Sequence, residues 1–295
     1  MKKTFIVLMM VLLAAMLFVS CDNRTKEPET KRYKVTFNVN GGTGTFVSQS
    51  VEEGEKAERP DTDPKSENKY ETFKFWSADE VNEFKFEETT ITGDIELKAI
   101  YRDLTVGDTG PAGGIIFYDV DADNGNDAND GLVSGICGWR YLEAAASDAS
   151  FTNSSGNVDY IYQWGPDGKT YDLKTGIGEG KNNTKIILSQ PKPTYEGTSG
   201  YQPEYYNAAK ACGDYGDNTD YDDWFLPSKD ELNLLYTNLA AKGLGGTWGH
   251  DGQSPYWSSS EVDVEDRWSQ DFSDGSQGGY GGAGNWFNVR PVRSF

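Results

Sequence analysis

The stretch Tyr33-Lys34-Val35-Thr36-Phe37-Asn38-Val39-Asn40-Gly41-Gly42 decides the architecture of the first part of this chain. Tyr33, Val35, Phe37 and Val39 alternate with Lys34, Thr36 and Asn38, the period of a strand with one buried face. Asn40-Gly41-Gly42 then ends the strand with residues that accept positive φ, as a tight reversal requires. Working outward, residues 46–51 read as a shorter strand, Glu53-Gly54 as a turn, and residues 60–64, bounded by prolines, as an extended connection hostile to helix. Two further strands follow at residues 73–76 and 95–101, the latter with Ile95, Leu97, Ala99 and Tyr101 on one side.

These segments, "YKVTFNVNGGTG", "VEEGEKAERP", "FKFWSA" and "ITGDIELKAIY", resemble the Listeria–Bacteroides repeat, also called the internalin B-repeat, in order and spacing. The resemblance covers residues 33–102. It implies a small β-grasp-like module of bacterial surface proteins, used as a spacer or adhesion element rather than an enzyme. Phe75 stands where the commoner Phe-x-Gly-Trp pattern has glycine, which leaves the backbone at that point open.

Residues 103–295 read as a second domain. An apolar strand at 115–118 precedes an acidic loop at 119–131 and a further segment at 138–143. Residues 147–200 lack periodicity and are rich in Asn, Gly, Ser and Thr, the pattern of long ordered loops. Residues 204–212 read as a short helix with Ala208, Ala209 and Cys212 on one face. The clearest helix starts at Ser228, where Ser228 and Glu231 form a capping box. Leu232, Leu235 and Leu239 line its inner face, and Gly243 stops it. Strands follow at 256–261, 267–272 and 287–292, with a glycine-rich loop at 275–284 between the last two. "DDWFLPSKDELNLLY", "YWSSSE", "WSQDFSDG" and "VRPVRSF" are similar to the C-terminal domain of the Legionella collagen-like adhesin and to the Fibrobacter major paralogous domain. That resemblance implies a C-type-lectin-like α+β fold with a binding or adhesion role. Spirochaete surface lipoproteins share this architecture, as far as the resemblance goes. The whole chain is thus expected to be α+β: a small β-grasp-like module, then a C-type-lectin-like domain rich in loops.

Upstream of both domains, Lys2 and Lys3 precede an apolar run at residues 5–19, too short to cross ~30 Å of hydrocarbon but suited to a signal peptide. Phe18-Val19-Ser20-Cys21 resembles a lipobox, with Phe18 in place of the usual leucine. Residues 1–20 are therefore read as a lipoprotein signal peptide, Cys21 as the lipidated residue and membrane anchor, and residues 21–32 as a flexible stalk. Lipid holds a chain at a bilayer without spanning it, which places the protein in the cell envelope, at the outer membrane or cell surface. The net charge of −20 argues against nucleic acid and polyanionic sulfated sugars as partners. With Cys21 lipidated, Cys137 and Cys212 remain. A disulfide between them and two buried free thiols are both open readings.

The sharpest candidate for chemistry is the run Asp119, Asp121, Asp123, Asp127 and Asp130, whose spacing suits a calcium loop more like a thrombospondin type 3 repeat than an EF-hand. The alternative is a solvated acidic loop. A second acidic group, Asp214, Asp217, Asp220, Asp222 and Asp223, fits no ligand template and is read as loop and capping residues. For catalysis, Glu143 and Glu261 are the carboxylates a glycosidase would pair, and nothing in their spacing joins them. His250 has no partner at a telling spacing. Binding features are stronger: the glycine-rich segment 275–286 carries Tyr280 and Trp286, with Trp248 and His250 nearby in sequence, and aromatic faces stack on sugars or anchor proteins. Trp224, Trp257 and Trp268 are assigned to the core. The resulting expectation is a lipid-anchored surface protein that binds an extracellular protein or glycan. A polysaccharide- or cell-wall-acting enzyme is the first alternative and a structural envelope lipoprotein the second.

Overall fold

The computed structural model describes residues 29–122, 134–152, 155–165, 170–190, 207–216, 220–250, 254–282 and 285–295. The expected signal peptide, Cys21 and most of the expected stalk lie outside these residues, as do Asp123, Asp127, Asp130 and Asp217. The chain is mostly β with few helices. It divides into two compact units: residues up to Pro64 with Phe75–Ile100, and Lys65–Lys74 with Tyr101–Phe295.

The first part of the chain supplies β1 (Arg32–Asn38), β2 (Gly42–Thr43), β3 (Gln49–Glu52), β4 (Lys65–Ser66), β5 (Glu71–Ser77) and β6 (Ile95–Asp103). A four-stranded sheet runs β3-β1-β6-β5. β1 pairs antiparallel with β3 and parallel with β6, with Val35 opposite both Gln49 and Ile95. The sheet is possible because β1 reverses where expected: Asn40 and Gly41 both take positive φ, at 46° and 83°, and the Gly42 amide donates to the Val39 carbonyl. Val35, Leu97 and Ala99 are fully buried and Trp76 nearly so. The Trp76 ring meets Phe37 and Phe46 edge-on, each at a centroid distance of 5.1 Å. Phe75 lies inside β5 without positive φ, so the glycine it replaces is not needed there for a turn.

The second unit continues with β7 (Ile115–Asp119), α1 (Ser134–Cys137), β8 (Tyr141–Ala144), β9 (Phe151–Thr152), β10 (Val158–Asp159), β11 (Ile161–Tyr162), α2 (Gly180–Leu188), α3 (Ala208–Tyr215), α4 (Lys229–Asn238), β12 (Pro255–Glu261), β13 (Asp266–Asp271), β14 (Gln277–Gly282), β15 (Phe287–Asn288) and β16 (Val292–Ser294). Its sheets are β16-β8-β7 and β11-β15-β12-β13-β14, with a small β9–β10 pair. One core cluster gathers Trp164, Ile187, Cys212, Leu226, Trp257 and Val289. Another gathers Phe117, Leu142, Phe225, Leu235, Leu239 and Val292. α4 carries the expected capping box between Ser228 and Glu231, and Gly243 takes the left-handed conformation that stops the following turn.

Three expectations are corrected. Residues 147–200 are not only loops: they hold β9, β10, β11 and α2. The buried face of α2 is Gly180, Asn183, Thr184 and Ile187, helical in spacing but mostly polar, so it leaves no apolar stripe. The glycine-rich segment 275–284 is in part a strand, β14, paired with β13 through Trp268↔Gly279 and Ser269↔Gly278. A Cβ on Gly279 would meet Val262 and Asp266 at 3.1 and 3.2 Å, which favours a bare backbone there. The strand expected at 287–292 is split into β15 and β16, which belong to different sheets. Of the two readings left open for the cysteines, the structure has free thiols: Cys212 is buried in the first cluster, while the half-buried Cys137 packs against the second and donates to the Trp139 carbonyl at 2.9 Å.

Truncating Trp76 removes the ring on which Phe37 and Phe46 rest. Trp76→Ala should lower stability by about 3–5 kcal/mol, read as a fall in the urea midpoint of the intact chain.

Candidate functional site

Asp148, in the segment after β8, has a fully buried side chain and is the hub of a polar cluster. Its Oδ1 accepts from Arg290 Nε at 2.5 Å, and its Oδ2 accepts from the Tyr256 hydroxyl at 2.8 Å. The His250 imidazole reaches the same Oδ2 at 3.2 Å. Arg290, equally buried, gives three further N–H groups to backbone carbonyls: Ala145 at 3.0 Å, Gly245 at 3.2 Å and Thr247 at 2.7 Å. A buried charge is tolerated when it is paired and most of its hydrogen-bonding capacity is met, and this guanidinium is paired with four of its five N–H groups bonded. It thereby fixes the segment that carries Trp248 and His250.

Trp248 and His250, both expected at a binding surface, lie two residues apart on this segment. Trp248 packs under the Arg290 guanidinium, 4.1 Å from its ring centroid, and against Tyr256 and Phe272. Its indole N–H donates to the Leu244 carbonyl at 2.8 Å. Much of this tryptophan is therefore packing. His250 stacks flat on Tyr160 at 3.8 Å and 11°, and both rings are half-buried. Trp286 is also half-buried and immediately precedes β15. Tyr280 lies in β14, and its side chain falls outside the described residues. Of the tryptophans assigned to the core, Trp224 and Trp257 are buried, and Trp268 is partly exposed beneath Lys229, 4.6 Å away.

The carboxylates that a glycosidase would pair are each bound to backbone. Glu143 accepts from the Gly114 amide at 2.8 Å and from Arg293 at 3.0 Å, and burial pushes its carboxyl above the ordinary range. Glu261 accepts from the amides of Tyr171 and Leu173, at 2.9 and 3.0 Å. In the acidic groups, Asp119 is held by Arg140 at 3.1 and 3.2 Å. Asp223 pairs with Arg293 at 2.8 Å and Asp214 with Lys210. Among the described residues no cluster of three or more His, Cys, Asp or Glu side chains is arranged to hold a metal ion, and no helix is long and apolar enough to cross a membrane.

A cavity of about 250 Å³ opens beside α2 and had no counterpart in the sequence reading. Trp139, Leu142 and Phe225 give it apolar walls, and Lys181, Asn182 and Lys185 supply polar ones. The lysines stand four residues apart, on the same face of α2. Their spacing is visible in Gly180-Lys-Asn-Asn-Thr-Lys185, but it carries meaning only once that stretch is known to be helical. The helix is seated by close approach: a Cβ on Gly180 would come within 2.2 Å of the Glu231 carboxylate and 2.8 Å of the Ser228 amide nitrogen. Glu231 lies in the cavity wall, fully buried, accepting from the amides of Ser228 at 2.7 Å and Gly178 at 2.8 Å. Burial raises its carboxyl to about 7, against the downward pull of those amides.

Comparison with known families singles out one segment. Residues 33–100 match the Listeria–Bacteroides repeat domain. The repeat therefore includes β1, the Asn40-Gly41 reversal and Trp76, the features that build the first sheet and its core. No curated protein matches the chain. Among solved structures, a fimbrial protein from Bacteroides ovatus is similar at 16% identity and a TM-score of 0.34, over 69% of this chain and 50% of that one. The chain thus spans about half the length of that protein.

Two outcomes are expected. Asp148→Asn leaves the Arg290 guanidinium buried without its counter-charge and should cost roughly 3–5 kcal/mol in chemical denaturation. The second concerns pH. Glu231 holds its proton more tightly in the folded state, about 7, than at the ordinary value of 4.5. Its contribution to stability is therefore fully present below pH 4.5 and is lost as pH rises through about 7. The melting temperature of the parent relative to Glu231→Gln should fall between pH 4.5 and 7.5 and then level off; a constant difference would contradict the raised value.

Proposed function

We propose that this chain is a lipid-anchored bacterial surface protein of adhesion type. In this reading the repeat acts as a spacer, and the second unit binds an extracellular protein or glycan. The observation that carries it is the match of residues 33–100 to a repeat typical of cell-surface proteins. The anchor rests on the charged and apolar residues 2–19 running directly into Cys21, with the stalk at 21–32 behind it. The boundary between repeat and binding domain is placed near residue 102. The binding domain is taken as C-type-lectin-like, on its sequence motifs and on its short strands and helices joined by long connections. Calcium at residues 119–130 stays a proposal, and Asp119 would have to leave Arg140 to join a ligand set. A binding role rather than a catalytic one is supported by Glu143 and Glu261, each of which serves the backbone of a different loop.

Cys21→Ser should abolish labelling by a fatty-acid analogue and move the protein from the membrane fraction to the soluble one. The mature chain, displayed against a panel of extracellular-matrix proteins and glycans, should retain at least one partner at micromolar concentration. Unchanged labelling in the variant would remove the anchor, and an empty panel would remove the adhesion role.

A further inference from the structure

The cavity beside α2 has a composition that none of the roles above uses. Its volume, about 250 Å³, is below the ~300–1,000 Å³ of pockets that enclose drug-sized ligands, so its occupant is about the size of one large side chain. Leu142 and Phe225 are buried and form its inner wall, and the Trp139 indole is partly exposed beside them. Apolar walls of this kind favour an apolar group over a fully hydrated one.

The charge at the cavity is opposite to that of the protein. The chain carries −20, yet the exposed or half-exposed residues that α2 contributes are Lys181, Asn182 and Lys185. Some lysines of the chain are paired with carboxylates, Lys98 with Glu80 and Lys210 with Asp214 among them, and others, such as Lys56 and Lys242, bond to neutral oxygens. Lys181 and Lys185 have no carboxylate partner among the described residues. Two ammonium groups on successive turns of one helix repel each other, and an anion between them relieves that repulsion. The one acid in the wall, Glu231, does not fill this role, because its carboxylate is directed at the amides of Ser228 and Gly178.

We propose that this cavity binds a small amphipathic carboxylate: an apolar body the size of an aromatic side chain against Trp139, Leu142 and Phe225, with its carboxylate held by Lys181 and Lys185. The same chemistry is presented by a free aryl-alkanoic acid and by the apolar C-terminal residue of a peptide. Asn182 adds an amide that can donate to the carboxylate or accept from a peptide N–H. The proposal rests on the binding reading above for its biological setting, but the cavity itself can be examined with small acids alone.

The mature chain is titrated with phenylacetate, with N-acetyl-phenylalanine and with uncharged phenylacetamide, by calorimetry and by tryptophan fluorescence. Both acids should bind at millimolar concentration or better, and phenylacetamide at least about tenfold more weakly. Tighter binding of N-acetyl-phenylalanine assigns the site to a peptide C-terminus, and tighter binding of phenylacetate assigns it to a free acid. The variant Lys181→Gln/Lys185→Gln alters only side chains that reach solvent, so its melting temperature should stay with that of the parent while affinity for the acids drops at least about tenfold. Raising the salt concentration should weaken the parent and leave the variant little changed. Failure of both acids to saturate by about 20 mM, or equal binding by parent and variant, would overturn the proposal. A failed titration leaves the adhesion role standing if the panel still yields a partner. Saturation by the acids with an empty panel does the reverse.

Discussion

The buried pair of Arg290 and Asp148, 2.5 Å apart and 142 residues apart in sequence, is the interaction on which the second unit's long connections depend. An ion pair taken out of water gains little by itself, because desolvation offsets the attraction. What makes this one useful is that the guanidinium also donates to the carbonyls of Ala145, Gly245 and Thr247, while the carboxylate also serves Tyr256 and His250. Without the guanidinium the carbonyl of the buried Ala145, which lies in a connection lacking regular structure, would lose this donor. Glu143, Glu231 and Glu261 perform the complementary task for backbone amides. Inward-facing charges thus organise this unit, with both of its cysteines left as free thiols.

How much of this the sequence disclosed follows from which force shaped each element. β1, β6 and α4 were legible because apolar periodicity and a capping box are local signals, and Val35, Leu97, Leu232 and Leu235 are buried as that periodicity requires. α2 was hidden because its inner face is polar. Asn183 donates to the Lys174 carbonyl at 2.7 Å, and the Thr184 hydroxyl accepts from the Leu226 amide at 3.0 Å. β14 was hidden for the opposite reason, since a run of glycines has no side chains to show a period. The cavity was hidden along with α2, because only the helix sets Lys181 and Lys185 on one face. Asp148 and Arg290 gave no sign of each other, because nothing local specifies a pairing across so long a separation.

The polar inner face of α2 also sets what the helix can tolerate. A leucine at Asn183 would match the volume of a core side chain, but it would strand the Lys174 carbonyl and amide that the asparagine now satisfies. Positions of this kind are bound to one chemistry more tightly than an apolar core position, where similar volumes interchange at small cost. The Gly180 contact adds a steric limit at the same helix end, since even a methyl group would meet the cap of α4.

Arg290 addresses the segment 245–247 only through main-chain carbonyls. Every residue type carries that group, so these hydrogen bonds do not select side chains there, whereas the Trp248 ring 4.1 Å from the guanidinium is a side-chain contact of its own. The path of the segment is set elsewhere: Gly245 and Gly246 take positive φ, at 82° and 80°, and a Cβ on Gly245 would come within 2.6 Å of the Trp248 ring. A surface built this way divides its labour, with glycines shaping the turn and the guanidinium anchoring it, and leaves the exposed Thr247 as the position whose side chain can change without disturbing either.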